Sequence, residues 1–423
     1  PTLESLAFEK FLKINEHMAS VNQHFVDFPD DPIALGSKSP DVDLVLRRAR
    51  ALLHYVMTPV SEDEWFLACK SSQGASIGVP YQDTSVEAKY SYPISIAEER
   101  LAPLWNRYKL YDKSFSESLD QLNSLKVLSD ELEVVGASRA TTVEKSDTQR
   151  RMIAVEPVVN MFFQQGLMVC LTNRLRAIGL DLTNVAPKHT TLAWESSITS
   201  SMDTIDFSSA SDCVAIELLR WLIPSHWYMR LSLVRTPSMN IGGTVHKLEM
   251  MSTMGNATTF PIETLVFWSI AVSAAMTVDK PKSRSLLPIW KYFKTCSVFG
   301  DDCITPRRST ELFMRSAESV GFLINKEKSY YGGGYFRESC GGDYYRGYDV
   351  RPVYLRDPAS TRRSSLEPWL YTTWNKVIKK YISYFGPLTY VYDKEFFRVM
   401  FSIFKKEQLL VRVVPTWFPD DAG

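Results

Sequence analysis

Two adjacent aspartates behind a glycine, Gly300-Asp301-Asp302, carry the strongest chemical signal in this 423-residue sequence. Ser297-Val298-Phe299 precede them and Cys303-Ile304-Thr305 follow, so apolar and β-branched residues flank both sides. That pattern predicts a strand, a tight turn and a returning strand. Glycine supplies the backbone freedom needed at the tip. Two carboxylates fixed side by side resist joint ionisation: about 4 kcal/mol opposes a pair 4 Å apart at an effective dielectric of 20. A divalent cation removes that penalty, which makes Asp301 and Asp302 candidate metal ligands. Alone, an Asp-Asp turn is more often merely solvated, so other groups must converge on it.

Several segments could supply them. Residues 200–207 read as a strand with Asp206 near its carboxyl end, and residues 213–223 as a helix stopped by Pro224. Asp212 would open that helix, either facing the same mouth as Asp206 or serving only the helix dipole. The loop Ser252-Thr253-Met254-Gly255-Asn256 precedes an apolar helix at 260–277. Hydroxyls and an amide at a helix entrance suit sugar hydroxyls or phosphate. Residues 136–155 read as two strands joined by a polar turn, where Arg139, Lys145, Arg150 and Arg151 stand against Glu144 and Asp147. Guanidinium forks match phosphate oxygens, although a solvated charged hairpin is the plainer reading. Lys326 and Lys328 follow on a strand or turn. Residues 351–384 hold seven Lys or Arg, among them Arg362, Arg363, Lys379 and Lys380, against Asp357 and Glu367. Trp369, Tyr371 and Trp374 are interleaved there, which suits a nucleic-acid backbone with stacked bases and equally suits a helix face packed on a core.

The elements that must position these residues are those of an ordinary globular chain. Hydrophobic residues make up 45% and charged residues 23%, enough for two or three subdomains. Net charge is zero, with 48 basic and 48 acidic residues. Any polyanion must therefore be met by a local basic channel rather than by overall attraction. Residues 1–135 look mainly helical and carry no nameable chemistry. The cysteines at 69, 170, 213, 296, 303 and 340 show no paired metal-ligand spacing and read as reduced thiols of a cytosolic protein. No signal peptide is evident. The longest apolar run, residues 264–278, reads as a buried helix too short to span a bilayer.

The order of these segments is more specific than any one of them. The chain resembles the RNA-dependent RNA polymerases, and most closely the replicase catalytic subunit of the single-stranded RNA bacteriophages, the levivirus-like group. The resemblance rests on Arg151-Met152-Ile153-Ala154-Val155-Glu156-Pro157, Ile205-Asp206-Phe207-Ser208-Ser209-Ala210-Ser211-Asp212, Ser252-Thr253-Met254-Gly255-Asn256 and Phe299-Gly300-Asp301-Asp302. It continues through Phe336-Arg337-Glu338-Ser339-Cys340-Gly341, Tyr345-Arg346-Gly347 and Asp349-Val350, covering about residues 140–356. Two positions depart from the family pattern: Phe299 stands where tyrosine is frequent, and Ala257 where glycine is. Neither removes a metal ligand. The chain also ends sooner after Asp349 than the family's usual length.

The resemblance implies an α+β right-hand fold. Fingers with an N-terminal helical region would occupy 1–202, the palm 203–226 and 251–345, a fingers insertion 227–250, and a short or truncated thumb 346–423. It implies polymerisation of nucleoside triphosphates on an RNA template by two-metal transfer. Asp206 and Asp301 would hold two Mg2+ ions (Mn2+ as the alternative) roughly 3.5–4 Å apart, assisted by Asp302. Asp212 and Asn256, with Ser252, would read the ribose 2′-hydroxyl. Lys145, Arg150 and Arg151 would bind the triphosphate, and Lys326 or Lys328 would protonate pyrophosphate. Arg362, Arg363, Lys379 and Lys380 would contact RNA. Implied partners are template and product RNA, nucleoside triphosphates, and the host's elongation factors Tu and Ts with a ribosomal protein. No membrane is involved, and the implied location is the cytoplasm of the bacterial host. A two-metal nuclease or another phosphoryl-transfer enzyme would use the same carboxylates without needing the ribose-reading residues or the basic hairpin. A non-catalytic RNA-binding protein would not need the three aspartates.

Overall fold

The computed structural model describes residues 2–80, 82–124, 132–280, 289–354, 363–385, 394–415 and 417–422. Helices and sheets are mixed, as the α+β class requires. The chain divides into two compact units, Pro1–Asp349 and Val350–Gly423.

The first unit opens on helices, as its composition predicts. Leu3–Asp27 starts at Thr2, whose Oγ1 accepts the Ser5 N–H at 3.1 Å. That side chain satisfies one of the orphan donors of the first turn. Pro40–Val56 starts with proline inside its first turn and buries Val42, Val45, Leu46, Ala49, Leu52, Leu53 and Val56, spaced along one helical face. The centre of the unit is the helix Thr259–Asp279, which packs against Pro40–Val56 and the helix Arg307–Ser319. Many of its residues are β-branched or hydroxylated, poor helix formers by up to about 0.7 kcal/mol each. A fully buried Leu, Ile or Phe contributes about 1.5–3 kcal/mol, so packing outweighs propensity. Phe267 stacks on Phe207 with ring centroids 4.2 Å apart and meets Phe322 at 4.5 Å. The sequence reading made this helix too short to span a bilayer. By length and composition it is long enough, and 94% of its most apolar window is buried inside the fold, as in a core helix.

Two sheets frame the centre. One runs in the order Met202–Ile205, Asp302–Pro306, Ser297–Phe299, all antiparallel. The other is four-stranded. Its Ser138–Ser146 and Gln149–Val155 form the expected basic hairpin, and Ser238–Ile241 and Thr244–Lys247 extend it on the other side. A smaller antiparallel sheet is formed by Phe336–Ser339, Gly342–Tyr345 and Tyr348–Asp349.

One element differs from the sequence reading. The helix expected at 213–223 begins later, at Ile216–Leu222. Residues 210–212 make a single tight 3-10 turn, and the backbone is then extended, with Val214 O accepting from Met251 N at 2.8 Å. The helix start is capped from a distance: Asn22 Oδ1 accepts the Glu217 N–H at 2.9 Å. A tertiary hydrogen bond thus takes the place of a local side-chain cap.

The second unit is a helix pair, Arg363–Phe385 and Lys394–Lys406. Leu370, Tyr371, Met400, Phe404 and Leu409 form its core, and Trp374 meets Phe397 and Phe401 edge-on. Of the two readings of this aromatic stretch, core packing therefore accounts for Tyr371 and Trp374.

Candidate active site

The register of the central sheet brings the aspartates together. Cys303 lies opposite Ile205, and Asp302 opposite Phe299. Asp206 leaves its strand beside the point where Asp302 enters the next. Asp301 occupies the turn between the paired strands. Gly300 has φ +62, and a Cβ there would lie 2.4 Å from the Phe260 ring. Its N–H donates to Thr264 Oγ1 at 3.0 Å. The core helix thereby fixes the turn from beneath. Asp206, Asp302, Lys328, Glu338, Ser339 and Cys340 line one polar cleft of about 160 Å³.

The segment Phe336–Gly341, a resemblance without chemical explanation at the level of sequence, acquires one here. Arg337 is fully buried and braces the first strand. Its Nε donates to Met202 O at 2.7 Å, and its Nη2 pairs with Asp203 Oδ1 at 2.9 Å. Ser339 Oγ bonds His189 Nδ1 at 2.9 Å. Cys340 presents its N–H to Asp302 Oδ2 at 3.2 Å and its thiol to the same oxygen at 3.4 Å. Glu338, between them, lines the cleft. Alternation along one short strand sends the bracing residues to the core and Glu338 to the open face.

The acids disturb one another. Burial, then the Asp301 charge, raises Asp206 to about 6, against the pull of a 2.7 Å hydrogen bond from Asn325 Nδ2. Burial and Asp301 likewise raise Asp302 to about 6, with Cys340 opposing. Asp301 itself is raised by burial, while Arg151, Lys145 and Lys328 pull it back. Burial raises Asp212 to about 7; the Met254 backbone, Lys10 and Arg151 lower it. Asn325 and Lys10 were not singled out from the sequence, since a polar residue in a turn or helix gives no signal by itself, and Glu338 entered only as part of the Phe336–Gly341 motif, without a role. Glu263 was missed as well. It is 4% exposed on the core helix, and burial followed by the charges of Asp301 and Asp212 pushes it well above the usual carboxylate range. An acid inside an apolar helix was the available signal.

The basic hairpin divides its cations by face. Arg151 sits opposite Val143, and Arg150 opposite Glu144. The register shifts between Glu144 and Ser146, which interrupts the alternation at Lys145, but the like charge of Arg151 acting on Lys145 puts the two cations together. Both feel the aspartates: Arg151 and Lys145 act on Asp301, and Asp206 acts on Lys145. Loss of water, followed by the like charges of Arg151, Lys328 and Lys10, lowers the Lys145 ammonium. Arg150 instead bonds Thr142 Oγ1 at 3.2 Å and Glu144 Oε1 at 3.5 Å on the other face.

The glycine loop is pressed onto this hairpin. Ala154 N donates to Met254 O at 2.7 Å, and a Cβ on Gly255, at φ +110, would lie 2.1 Å from Ala154 O. Asn256 Oδ1 accepts from Thr258 N and Oγ1 at 2.9 and 2.8 Å, so only its Nδ2 end can serve a ligand. Asp212 Oδ1 and Ser252 Oγ are sealed polar atoms without hydrogen-bond partners. Each such atom costs about 1–3 kcal/mol unless a ligand or water satisfies it.

Of the paired lysines, Lys328 lines the cleft and acts on Asp206 and Asp301. Lys326, on the same turn, does not line it. Among the candidates of the second unit, Arg362 lies outside the described residues, Arg363 begins a helix, and Lys379 pairs with Asp420 at 2.5 Å.

Among the described residues, no three His, Cys, Asp or Glu side chains are grouped closely enough to hold a metal ion by themselves. Asp206, Asp301 and Asp302 nonetheless have the oxygen chemistry of a hard-cation site, and their mutual repulsion is what a cation relieves. Mg2+ is usually held by one or two carboxylates together with substrate phosphates and water rather than by an all-protein cage, so this donor set fits it.

A family model described as RNA replicase, beta-chain, matches residues 1–367. The RNA-directed RNA polymerase beta chain of Enterobacteria phage fr is 28% identical over 402 residues, covering 89% of this chain and 67% of that one. The beta subunit of Enterobacteria phage SP is 31% identical over 358 residues, covering 84% and 57%. That of Escherichia virus Qbeta is 38% identical over 220 residues, covering 52% and 35%. The chain thus matches 35% to 67% of the length of these curated relatives. Among solved structures, the RNA-dependent RNA polymerase of a human picorbirnavirus is 15% identical, with a TM-score of 0.49 over 93% of this chain and 85% of that one.

Proposed function

This chain belongs to the RNA replicase beta-chain family, and on that premise we propose that it is the polymerising core of an RNA-directed RNA polymerase that copies a phage RNA strand from nucleoside triphosphates. The observation that carries the reading is the convergence of three aspartates from adjoining strands with Lys145, Arg151 and Lys328 as the cations acting on them. In the right-hand description the central sheet and core helix are the palm. The N-terminal helices and the four-stranded sheet are the fingers, and the second unit is the thumb.

Asp206 and Asp301 would hold Mg2+ or Mn2+, with Asp302 assisting. Such ions supply activation of the attacking 3′-hydroxyl and neutralise charge on the triphosphate. Asn325 holds one Asp206 oxygen by its 2.7 Å hydrogen bond, and Cys340 holds Asp302, so both carboxylates are oriented before substrate arrives. Lys145 and Arg151 grip the triphosphate. Arg150, bonded to Thr142 and Glu144, holds the hairpin's other face. Lys328 gives a proton to the departing pyrophosphate oxygen. Asp212, Ser252 and the Nδ2 end of Asn256 read the sugar. The partly unfilled hydrogen bonding of this group supports the assignment, because a site built to bond a hydroxyl rejects an analogue lacking it.

A nuclease would use the same aspartates, yet the face carrying Lys145 and Arg151 beside them suits a triphosphate. Purified protein given primed RNA template, Mg2+ and labelled nucleoside triphosphates should extend the primer. Shortening of labelled RNA without extension would overturn the proposal. Association with the host's elongation factors Tu and Ts and a ribosomal protein in the bacterial cytoplasm belongs to the same proposal, and co-purification from the host tests it.

A further inference from the structure

Glu263 has no role in the scheme above, although its placement is costly. It is 4% exposed, and no hydrogen bond or ion pair holds it among the described residues. Its carboxyl oxygens are nonetheless absent from the fold's sealed polar atoms, so they touch open space. Phe260, Glu263 and Thr264, at helical spacings of three and four, share one face of the core helix. Phe260 meets Gly300, and Thr264 bonds the Gly300 N–H. Glu263 therefore stands on the face that carries the Gly-Asp-Asp turn, with Asp301, Asp212, Arg151 and Asp206 as its charged neighbours. Asp212, one of these neighbours, also carries an oxygen without a partner, Oδ1.

Two carboxyl groups with unpartnered oxygens at one place call for a ligand that brings hydrogens. A phosphate brings none, and the surrounding acids repel it. A metal cage of three such groups is not present among the described residues. What remains is a neutral polyhydroxyl group. We propose that Glu263 is a specificity-determining residue that, with Asp212, receives the ribose hydroxyls of the incoming nucleoside triphosphate. This deepens the polymerase reading and rests on it.

The test compares wild type, Glu263→Met and Glu263→Gln in single-nucleotide extension, measuring kcat/KM for a ribonucleotide and its 2′-deoxy counterpart. Methionine keeps the volume and removes both oxygens. The ribo/deoxy ratio should fall tenfold or more in Glu263→Met, through loss of the ribonucleotide alone, while deoxynucleotide use stays within a few-fold. Glu263→Gln, which keeps a hydrogen-bonding group, should recover a large part of the ratio. An unchanged ratio overturns the assignment. So does an equal loss on both substrates, which would mark Glu263 as a partner of the metal ligands or of Arg151. Should Glu263→Met fail to fold, Glu263→Asp decides: it withdraws the carboxyl by one methylene and must lower the ratio likewise. If wild type extends no primer, the polymerase reading itself fails, an outcome distinct from any of these.

Discussion

Replacing Asp206 by asparagine should stabilise the cation-free fold while abolishing its chemistry. Asparagine matches the carboxylate in shape and still offers an oxygen to Asn325 Nδ2. What it removes is the titration. In the fold Asp206 titrates at about 6, against 3.8 for an ordinary aspartate. The folded chain thus holds more protons than the unfolded chain between roughly pH 4 and 6, so stability falls as pH rises through that window. A rise of that size amounts to about 3 kcal/mol at pH 8. Asp206 is only half-buried, and solvent screening leaves about 1–2 kcal/mol of that. At pH 4.5 most of the cost is absent in wild type too. The decisive quantity is therefore the difference between variant and wild type at pH 8, minus the same difference at pH 4.5, which cancels changes in packing. Urea unfolding of the first unit's signal in EDTA should give about 1 kcal/mol in favour of the variant. Mg2+ at ten times its dissociation constant should then stabilise wild type by about 1.4 kcal/mol through mass action and leave the variant unmoved. If Asp206→Asn weakens the fold equally at both pH values, the crowded-carboxylate argument is wrong.

Asp301→Asn should end nucleotide incorporation with the fold intact by circular dichroism; near-normal extension in Mg2+ would remove it from the metal set. Arg151→Ala should raise the KM for nucleotides or lower kcat with RNA binding little changed, whereas Arg150→Ala, on the opposite face, should alter nucleotide kinetics far less. Equal effects would show that the strand's register does not divide the cations. If Arg151 instead lines the template path, its loss should flatten the salt dependence of RNA binding by about one unit of slope. Asn256→Ala should narrow the ratio of kcat/KM for ribo- over deoxyribonucleotides, and an unchanged ratio would confine Asn256 to its turn with Thr258. Lys328→Ala should slow single-turnover extension at least tenfold while Lys326→Ala leaves it within twofold; the reverse order would reassign the proton donor.

Much of the site was legible because local patterns specify local elements. Strand–turn–strand around Gly300, the hairpin at 138–155 and the glycine loop before the core helix all follow from alternation, turn residues and apolar periodicity. What stayed hidden depends on distant partners. Ile216–Leu222 starts where Asn22, far away in sequence, caps it. Lys326 and Lys328 stand two positions apart in one turn, and only the fold says which one borders the cleft. Arg150 and Arg151 look equivalent until the register assigns them faces. Glu263 sat within a run read as a core helix, so its acidity was absorbed into that reading.

The two glycines of the site differ in whether a second mutation could rescue their loss. At position 300 the obstacle to a side chain is the Phe260 ring, 2.4 Å from the site of a Cβ, and φ +62 lies where asparagine is tolerated. A smaller residue at 260 could accommodate Gly300→Asn, so a suppressor is available to genetics. At position 255 the obstacle is the carbonyl oxygen of Ala154, at 2.1 Å. Every amino acid carries that oxygen. No exchange at 154 can make room, and φ +110 is unfavourable for any side chain. A screen for revertants of Gly255→Ala should therefore return glycine at 255, while one for Gly300→Asn should also return changes at 260.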